Sequence, residues 1–329
     1  MRIILSRTDG IGDVVLTLPM AGALKEKFPD CTIIFLGRNY TRPVIECSRF
    51  IDQFVSWDDA SRDPDPISFL ASLQAGAIIH AFPVKEICRT AKKARIPLRI
   101  ATARRYFTWF TCNRLLHIPR RNSDLHEAQL NLKMLGPLGI NRTFSLSEIP
   151  ALYGFLPALP DIPIQHPAPG KLNLILHPKS KGSAREWGLD NFSKLIDLLP
   201  KEKFNIMVTG TTEEGAMMRK FLEKYHDRVQ DMTGKLNLAE FISLIHNSDA
   251  LVAASTGPLH LAAASGIHAI GLYAPMRPIF PTRWAPLGKN ADFLVIEKQC
   301  RDCRKTTDCQ CIRDISPESV AERLTISEI

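Results

Sequence analysis

Apolar residues recur along this chain in short runs, and the stretches between those runs carry helical periodicity. Residues 2–6 (RIILS), 32–37 (TIIFLG), 54–56 and 77–81 (AIIHA) are short, continuous and rich in Ile, Leu and Phe. Their length and bounding turn residues predict strands buried on both faces. A helix is expected from about residue 13 to 28. The same alternation restarts at residues 172–177 (LNLILH) and continues through strands at 205–209, 250–253 and 269–273. Helices are expected there over about 190–199, 215–225, 238–245 and 258–265. Strand and helix in strict alternation predict an α/β fold with parallel sheets wrapped by helices.

Between the two series the texture changes. Pro150, Pro157, Pro160, Pro163, Pro167 and Pro169 crowd one stretch. Proline at that density blocks a regular helix or an inner strand. The stretch 151–170 reads as a linker between an N-terminal unit, residues 1–150, and a second unit, residues 171–314. A last segment, 315–329, begins with Ser316 as a helix cap and Pro317 at the first helical position. A length of 329 residues suits two such units, and a ligand is expected in the cleft between them.

Two loops follow strands at places where α/β sheets bind ligands. The first is Arg7-Thr8-Asp9-Gly10-Ile11-Gly12-Asp13. Its glycines permit a tight turn and close approach of backbone. Asp13 there is either a helix cap or an ionised carboxylate able to act as a general base. The loop lacks the third glycine of a dinucleotide fingerprint, which argues against a nicotinamide dehydrogenase. The second loop runs from His177 to Trp187 and holds Lys179, Ser180, Lys181, Ser183 and Arg185. Cations, hydroxyls and backbone N–H groups are what hold a diphosphate, although a solvated basic loop has the same composition. Trp187 is either an aromatic wall or a packing anchor.

A third segment, Ser255-Thr256-Gly257-Pro258-Leu259-His260, has the signature of a helix start, and first-turn N–H groups form a ready anion site. His260 lies one turn in and serves either the structure or a phosphate.

Taken in order, Gly12-Asp13 running to Leu18-Pro19, His177-Pro178 through Arg185-Glu186-Trp187, and Ser255 through Ala264 resemble glycosyltransferase family 9, the heptosyltransferases. Leu272-Tyr273-Ala274-Pro275, Arg283-Trp284-Ala285-Pro286 and residues 96–100 are similar to the family as well. The resemblance implies a GT-B fold, two Rossmann-like domains with parallel sheets facing across a cleft. It implies an inverting, metal-independent transferase with Asp13 as base and no cofactor. The donor would be an ADP-sugar bound by the second half, at Lys179, Ser180, Lys181, Ser183, Arg185, Ser255, Thr256, Gly257 and His260. Leu236 matches a position lining the adenine, and a ribose contact falls to Thr211 or Glu213. The acceptor side falls to Arg7, Gly12, Arg104 and Arg105, and the C-terminal helix is expected to pack back on the N-terminal domain. Many members carry Asp where this chain has Ser255, so heptose enters only as the family's default donor sugar.

Charge narrows the partners. The formal net charge of +8 favours a polyanion. From Ile87 to Ser123 there is no acidic residue, ten Lys and Arg residues cluster, and Tyr106, Phe107, Trp109 and Phe110 interleave with them. Such a patch suits RNA or an acidic glycolipid at a membrane face. With the resemblance, the expected partner is a lipopolysaccharide inner-core acceptor rather than nucleic acid. Neither a secretory signal nor an apolar run of membrane-spanning length is visible, so a cytoplasmic protein touching the membrane from its inner face is expected.

Cys31, Cys47, Cys88 and Cys112 are expected to be reduced and buried. Cys300, Cys303, Cys309 and Cys311 have a spacing that can hold zinc, tighter than common zinc ribbons. Two alternatives to the transferase stand beside it: a sugar-nucleotide epimerase of similar fold, and a non-catalytic protein that binds nucleotide sugars or nucleic acid.

Overall fold

A computed structural model describes the chain apart from residues 121–122, 158–169, 183, 278, 299, 301–307 and 327–329. The apolar runs form two parallel sheets of six strands. The first contains β1 (Arg2–Ser6), β2 (Thr32–Gly37), β3 (Gln53–Ser56), β4 (Ala77–His80), β5 (Leu98–Thr102) and β6 (Arg114–Leu116), in the order β3-β2-β1-β4-β5-β6. The second contains β7 (Leu172–His177), β8 (Phe204–Val208), β9 (Val229–Asp231), β10 (Ala250–Ala254), β11 (His268–Tyr273) and β12 (Ala291–Val295), in the order β12-β11-β10-β7-β8-β9. The chain divides into two compact units, Met1–Pro157 and Ala158–Ile329, one around each sheet.

Each unit repeats the doubly wound order in which the fourth strand lies beside the first. At that reversal the connections leave in opposite directions and open a crevice at the carboxyl ends of the strands. The crevice of the first unit lies between β1 and β4, where Ser6 pairs with His80. That of the second lies between β7 and β10, where His177 pairs with Ala253. The flanking strands are fully covered by helices: Ile3, Ile4, Leu5, Ile78 and Ile79 are buried in one sheet, and Leu174, Ile175, Leu176, Leu251 and Val252 in the other. Such burial explains why these runs are continuous rather than alternating.

Several elements differ from the sequence pattern. The helix expected over 13–28 is two helices, Ile11–Val15 and Pro19–Lys27. Pro19 cannot donate to a preceding turn and instead starts the second helix at its N-terminal end. Gly22, in that second helix, passes so close to Leu152 that an added Cβ would lie 2.8 Å from the Leu152 Cα. The helix expected over 215–225 starts at Thr212, because Thr211 and Glu214 cap one another reciprocally, and it breaks after Met217. Strands β5, β6, β9 and β12 were not expected.

The helix Pro317–Ile326 begins as predicted, with Ser316 Oγ accepting from the Ser319 N–H at 3.2 Å. Sequence reasoning placed it against the first unit. In the structure its Val320 and Leu324 are buried in the second unit's core, beside Phe192, Leu195 and Ile196 of the helix Leu189–Leu198. Among the described residues, no helix is long and apolar enough to cross a membrane.

Candidate active site

In the first unit, β1 delivers Arg7 and the helix Ile11–Val15 to the carboxyl end of the sheet. Gly10 takes the cap position in extended conformation, and Asp13 sits in the first turn behind it. Asp13 is therefore not the cap, and its carboxylate is available for other work. The buried Arg7 guanidinium ion-pairs with Asp13 and with Asp9 at 2.6 Å, and it donates to Asn131 at 3.5 Å. Glu127 lies 3.8 Å away and is itself paired with Arg120, which donates to Asn131 at 3.0 Å. Asn131 closes the network by donating to the Leu16 carbonyl at 2.9 Å. A fixed array of charge thus surrounds one partly open carboxylate. Burial raises the Asp13 carboxyl above its ordinary value, and Arg7 is the main opposing influence. A raised carboxyl is a stronger base once ionised.

Arg7 was expected to contact the acceptor. It is 3% exposed and engaged with carboxylates, so the structure gives it the task of holding Asp13. Gly12 lies inside the same short helix. Arg104 and Arg105 are exposed. The Arg105 guanidinium lies 5.5 Å from the Phe82 ring centroid, and Arg7 lies 5.8 Å from the same ring. Phe82, just beyond β4, thus lies between Arg7 and the basic segment. Within that segment Lys92 and Arg99 are bound to backbone carbonyls. Phe107 is buried, while Tyr106, Trp109 and Phe110 are each more than 60% exposed.

In the second unit, β7 and β10 deliver the two anion-type segments side by side. The loop after β7 is closed on itself: Lys179 pairs with Glu186 at 2.8 Å, the Ser180 N–H donates to Glu186 at 3.2 Å, and Ser180 Oγ donates to the Ala184 carbonyl at 3.1 Å. Lys181 is exposed on left-handed backbone at φ 47°, followed by Gly182 at φ 78°. Arg185 lies with its guanidinium 4.0 Å from the Met276 sulfur. Ser183 is outside the described residues. Trp187 is a packing anchor rather than a wall: it is buried edge-on to Phe192 at 4.9 Å and donates to the Ile315 carbonyl at 2.8 Å.

The segment after β10 forms the helix Gly257–Ser265, with Thr256 as N-cap and Pro258 in the first turn. The Thr256 hydroxyl makes no cap bond, is buried, and has no hydrogen-bond partner. An unsatisfied buried hydroxyl at a helix N-terminus is a costly arrangement that a bound anion would relieve. His260 is buried one turn on, its ring 6.5 Å from that of Trp284. Ser255 stands next to the Tyr273 hydroxyl, which donates to the Trp284 carbonyl. Lys181 helps hold the Glu213 carboxyl below its ordinary value, after hydrogen bonds from its own backbone and from Thr211; this brings the loop after β7 next to the loop after β8. Thr211 spends its side chain on the cap with Glu214. Leu236, half-buried, follows Gly234, whose left-handed φ of 67° and contact with Thr212 admit no side chain.

Sequence reasoning missed Glu127, Arg120, Asn131 and Phe82. One signal was present: Glu127 follows closely on a long basic stretch and begins a buried helix, Glu127–Leu132. Of the C-terminal cysteines, Cys309 and Cys311 are buried, and Cys303 lies outside the described residues.

Two doubly wound units, each with polar loops gathered at its strand reversal, form the architecture of the GT-B class. Residues 158–312 match the model of glycosyltransferase family 9 (heptosyltransferase). The chain is 23% identical over 337 residues to lipooligosaccharide heptosyltransferase 2 of Campylobacter jejuni, covering 98% of this chain and 97% of that one. Among solved structures, Escherichia coli ADP-heptose lipopolysaccharide heptosyltransferase II superposes with a TM-score of 0.77 at 17% identity, covering 99% and 98% of the two chains. Escherichia coli heptosyltransferase WaaC with ADP gives 0.71 at 17% identity, covering 99% of each. These likenesses support a glycosyltransferase similar to the heptosyltransferases of family 9.

Proposed function

We propose that this enzyme transfers a heptose, or a closely related sugar, from an ADP-sugar to an acidic inner-core lipopolysaccharide acceptor, with inversion at the anomeric carbon. One observation carries the reading. A carboxylate raised by burial and fixed by Arg7 stands at the strand reversal of one unit, while an unsatisfied hydroxyl on a helix N-terminus stands at the reversal of the other. The relatives named above are heptosyltransferases, and two of the names specify ADP or ADP-heptose.

In this reading Asp13 accepts the proton of the acceptor hydroxyl. The hydroxyl oxygen attacks the anomeric carbon from the face opposite the leaving group, and the bond to the diphosphate oxygen breaks. ADP departs carrying the negative charge. The N–H groups of the helix Gly257–Ser265, the Thr256 hydroxyl, and the cations Lys181 and Arg185 stabilise that charge, each donor being worth roughly 2–4 kcal/mol in the transition state. Lys179 joins them once the phosphate competes with Glu186. No step needs a metal. Leu236 lines the adenine and Glu213 reaches the ribose. Arg104 and Arg105 take the acceptor's phosphates and carboxylates, and the exposed rings of Tyr106, Trp109 and Phe110 rest at the membrane face.

Asp13→Asn tests the assignment. Turnover should fall by about 10²–10⁴-fold, the general worth of a positioned base, with ADP affinity unchanged by calorimetry. Transfer at the wild-type rate would remove Asp13 from the reaction. Tighter binding of UDP, GDP or CMP than of ADP would overturn the donor.

A further inference from the structure

Three side chains that the transfer reaction does not use meet at the strand reversal of the first unit. His80 is the last residue of β4, Cys88 lies in the helix Lys85–Lys93, and Cys112 ends the helix Tyr106–Thr111. One ring nitrogen and two sulfurs lie within 4.8 Å of one another, and all three residues are buried. Both His80 ring nitrogens are shut away from water without a hydrogen-bond partner of good geometry. Buried imidazole nitrogens are rarely left in that state. Cys88 packs with Ala101, Phe107 and Cys112, and Leu115 borders this apolar cluster. The Thr111 hydroxyl lies 3.8 Å from the Cys112 sulfur.

We propose that His80, Cys88 and Cys112 bind one soft divalent transition-metal ion, for which Zn²⁺ is the natural probe. Two thiolates and a neutral imidazole around a dication make an assembly with no net charge. That is the form of a metal site an apolar interior tolerates. Three protein ligands leave a fourth corner for water or the Thr111 hydroxyl. The ligands come from a strand and two helices, so the ion would tie the helix bearing Tyr106, Trp109 and Phe110 to the sheet edge beside Phe82.

The full-length enzyme is grown with added Zn²⁺, and its metal content is measured by mass spectrometry. It is then stripped with chelator and refilled with Co²⁺. About one Zn²⁺ per chain is expected, together with a thiolate-to-cobalt charge-transfer band. Cys88→Ser and Cys112→Ser should each lose the metal and the band, while a Cys309→Ser/Cys311→Ser variant keeps both. A second measurement needs no variant: chelator should speed alkylation of Cys88 and Cys112 in the wild type at least about tenfold, mapped by peptide mass. The proposal is overturned if the wild type takes up neither Zn²⁺ nor Co²⁺. It is overturned equally if the metal leaves with the Cys309 and Cys311 variant but stays in the Cys88 and Cys112 variants, or if chelator leaves alkylation of both thiols unchanged. Because the readout is metal content, its failure would leave the transferase reading untouched.

Discussion

Arg7→Met keeps the apolar stem of the side chain and deletes the charge and its donors. The lost partners are Asp13, Asp9 at 2.6 Å and Asn131 at 3.5 Å. Breaking a buried ion pair from one side costs about 3–5 kcal/mol, because the other charge is stranded. The Asp9 and Asp13 side chains keep 25% and 28% exposure, so water relieves part of the penalty and the lower end, about 3 kcal/mol, is expected. For a unit of this size that is a fall in Tm of roughly 6–12 °C.

The loss should depend on pH. Burial already holds the Asp13 carboxyl above its ordinary value against the pull of Arg7, so without Arg7 the carboxyl rises further. A carboxyl higher in the fold than in the unfolded chain is easiest to keep when protonated. Its cost sets in as pH climbs past the unfolded value and is complete above the folded one. The Arg7→Met deficit is therefore smallest in acid, and the acid limb of kcat/KM moves to higher pH. Melting curves for wild type, Arg7→Met, Asp13→Asn and the double variant, in acidic and in alkaline buffer, test this directly. Asp13→Asn should recover part of the Arg7 loss, with a coupling of about 0.5–3 kcal/mol. Strict additivity together with an unmoved acid limb would refute the claim that Arg7 holds the base.

Thr256→Val removes a buried hydroxyl that has no partner in the free protein. Stability should change by less than about 0.5 kcal/mol, while ADP affinity by calorimetry falls about tenfold; unchanged affinity would deny the hydroxyl a phosphate. Gly22→Ala drives a Cβ into the Leu152 backbone, 2.8 Å from its Cα, and should cost about 3 kcal/mol in denaturant titration. His177 is lowered to about 4 by burial, so its contribution to stability is complete above 6.5 and is lost as pH falls toward 4. That contribution totals about 3 kcal/mol, and His177→Gln should flatten this part of the stability profile.

Much of this architecture is legible in the chain, and the gaps have physical causes. The strands β1, β2, β7 and β11 are long apolar runs whose composition leaves no other choice. β5 and β6 carry Arg99 and Arg114, and β9 and β12 each carry an aspartate; these outer strands need only one good face, so hydrophobicity alone hides them. The short helix at Ile11–Val15 ends because of Pro19, a signal that was present but outweighed by the apolar period around it. At the site, Asp13, the loop after β7 and the start of the helix Gly257–Ser265 stood out because glycine, proline and charge coincide there. Glu127, Arg120 and Asn131 did not, since their meaning lies in a buried partner more than a hundred residues earlier in the chain. The burial of Arg7 against Asp9 and Asp13 was hidden for the same reason, since exposure cannot be seen in a sequence.

The repeated strand order also bears on how the enzyme is assembled. Ile3 must find Ala77 and Leu174 must find Ala250 before either crevice has a second wall, whereas the pairings toward β3 and β9 form between nearer neighbours. Non-local pairings are the slow ones, because a long loop has to be closed before any contact rewards it. Both crevices are therefore completed late. A partly folded chain would expose the outer half of each sheet well before either crevice had closed.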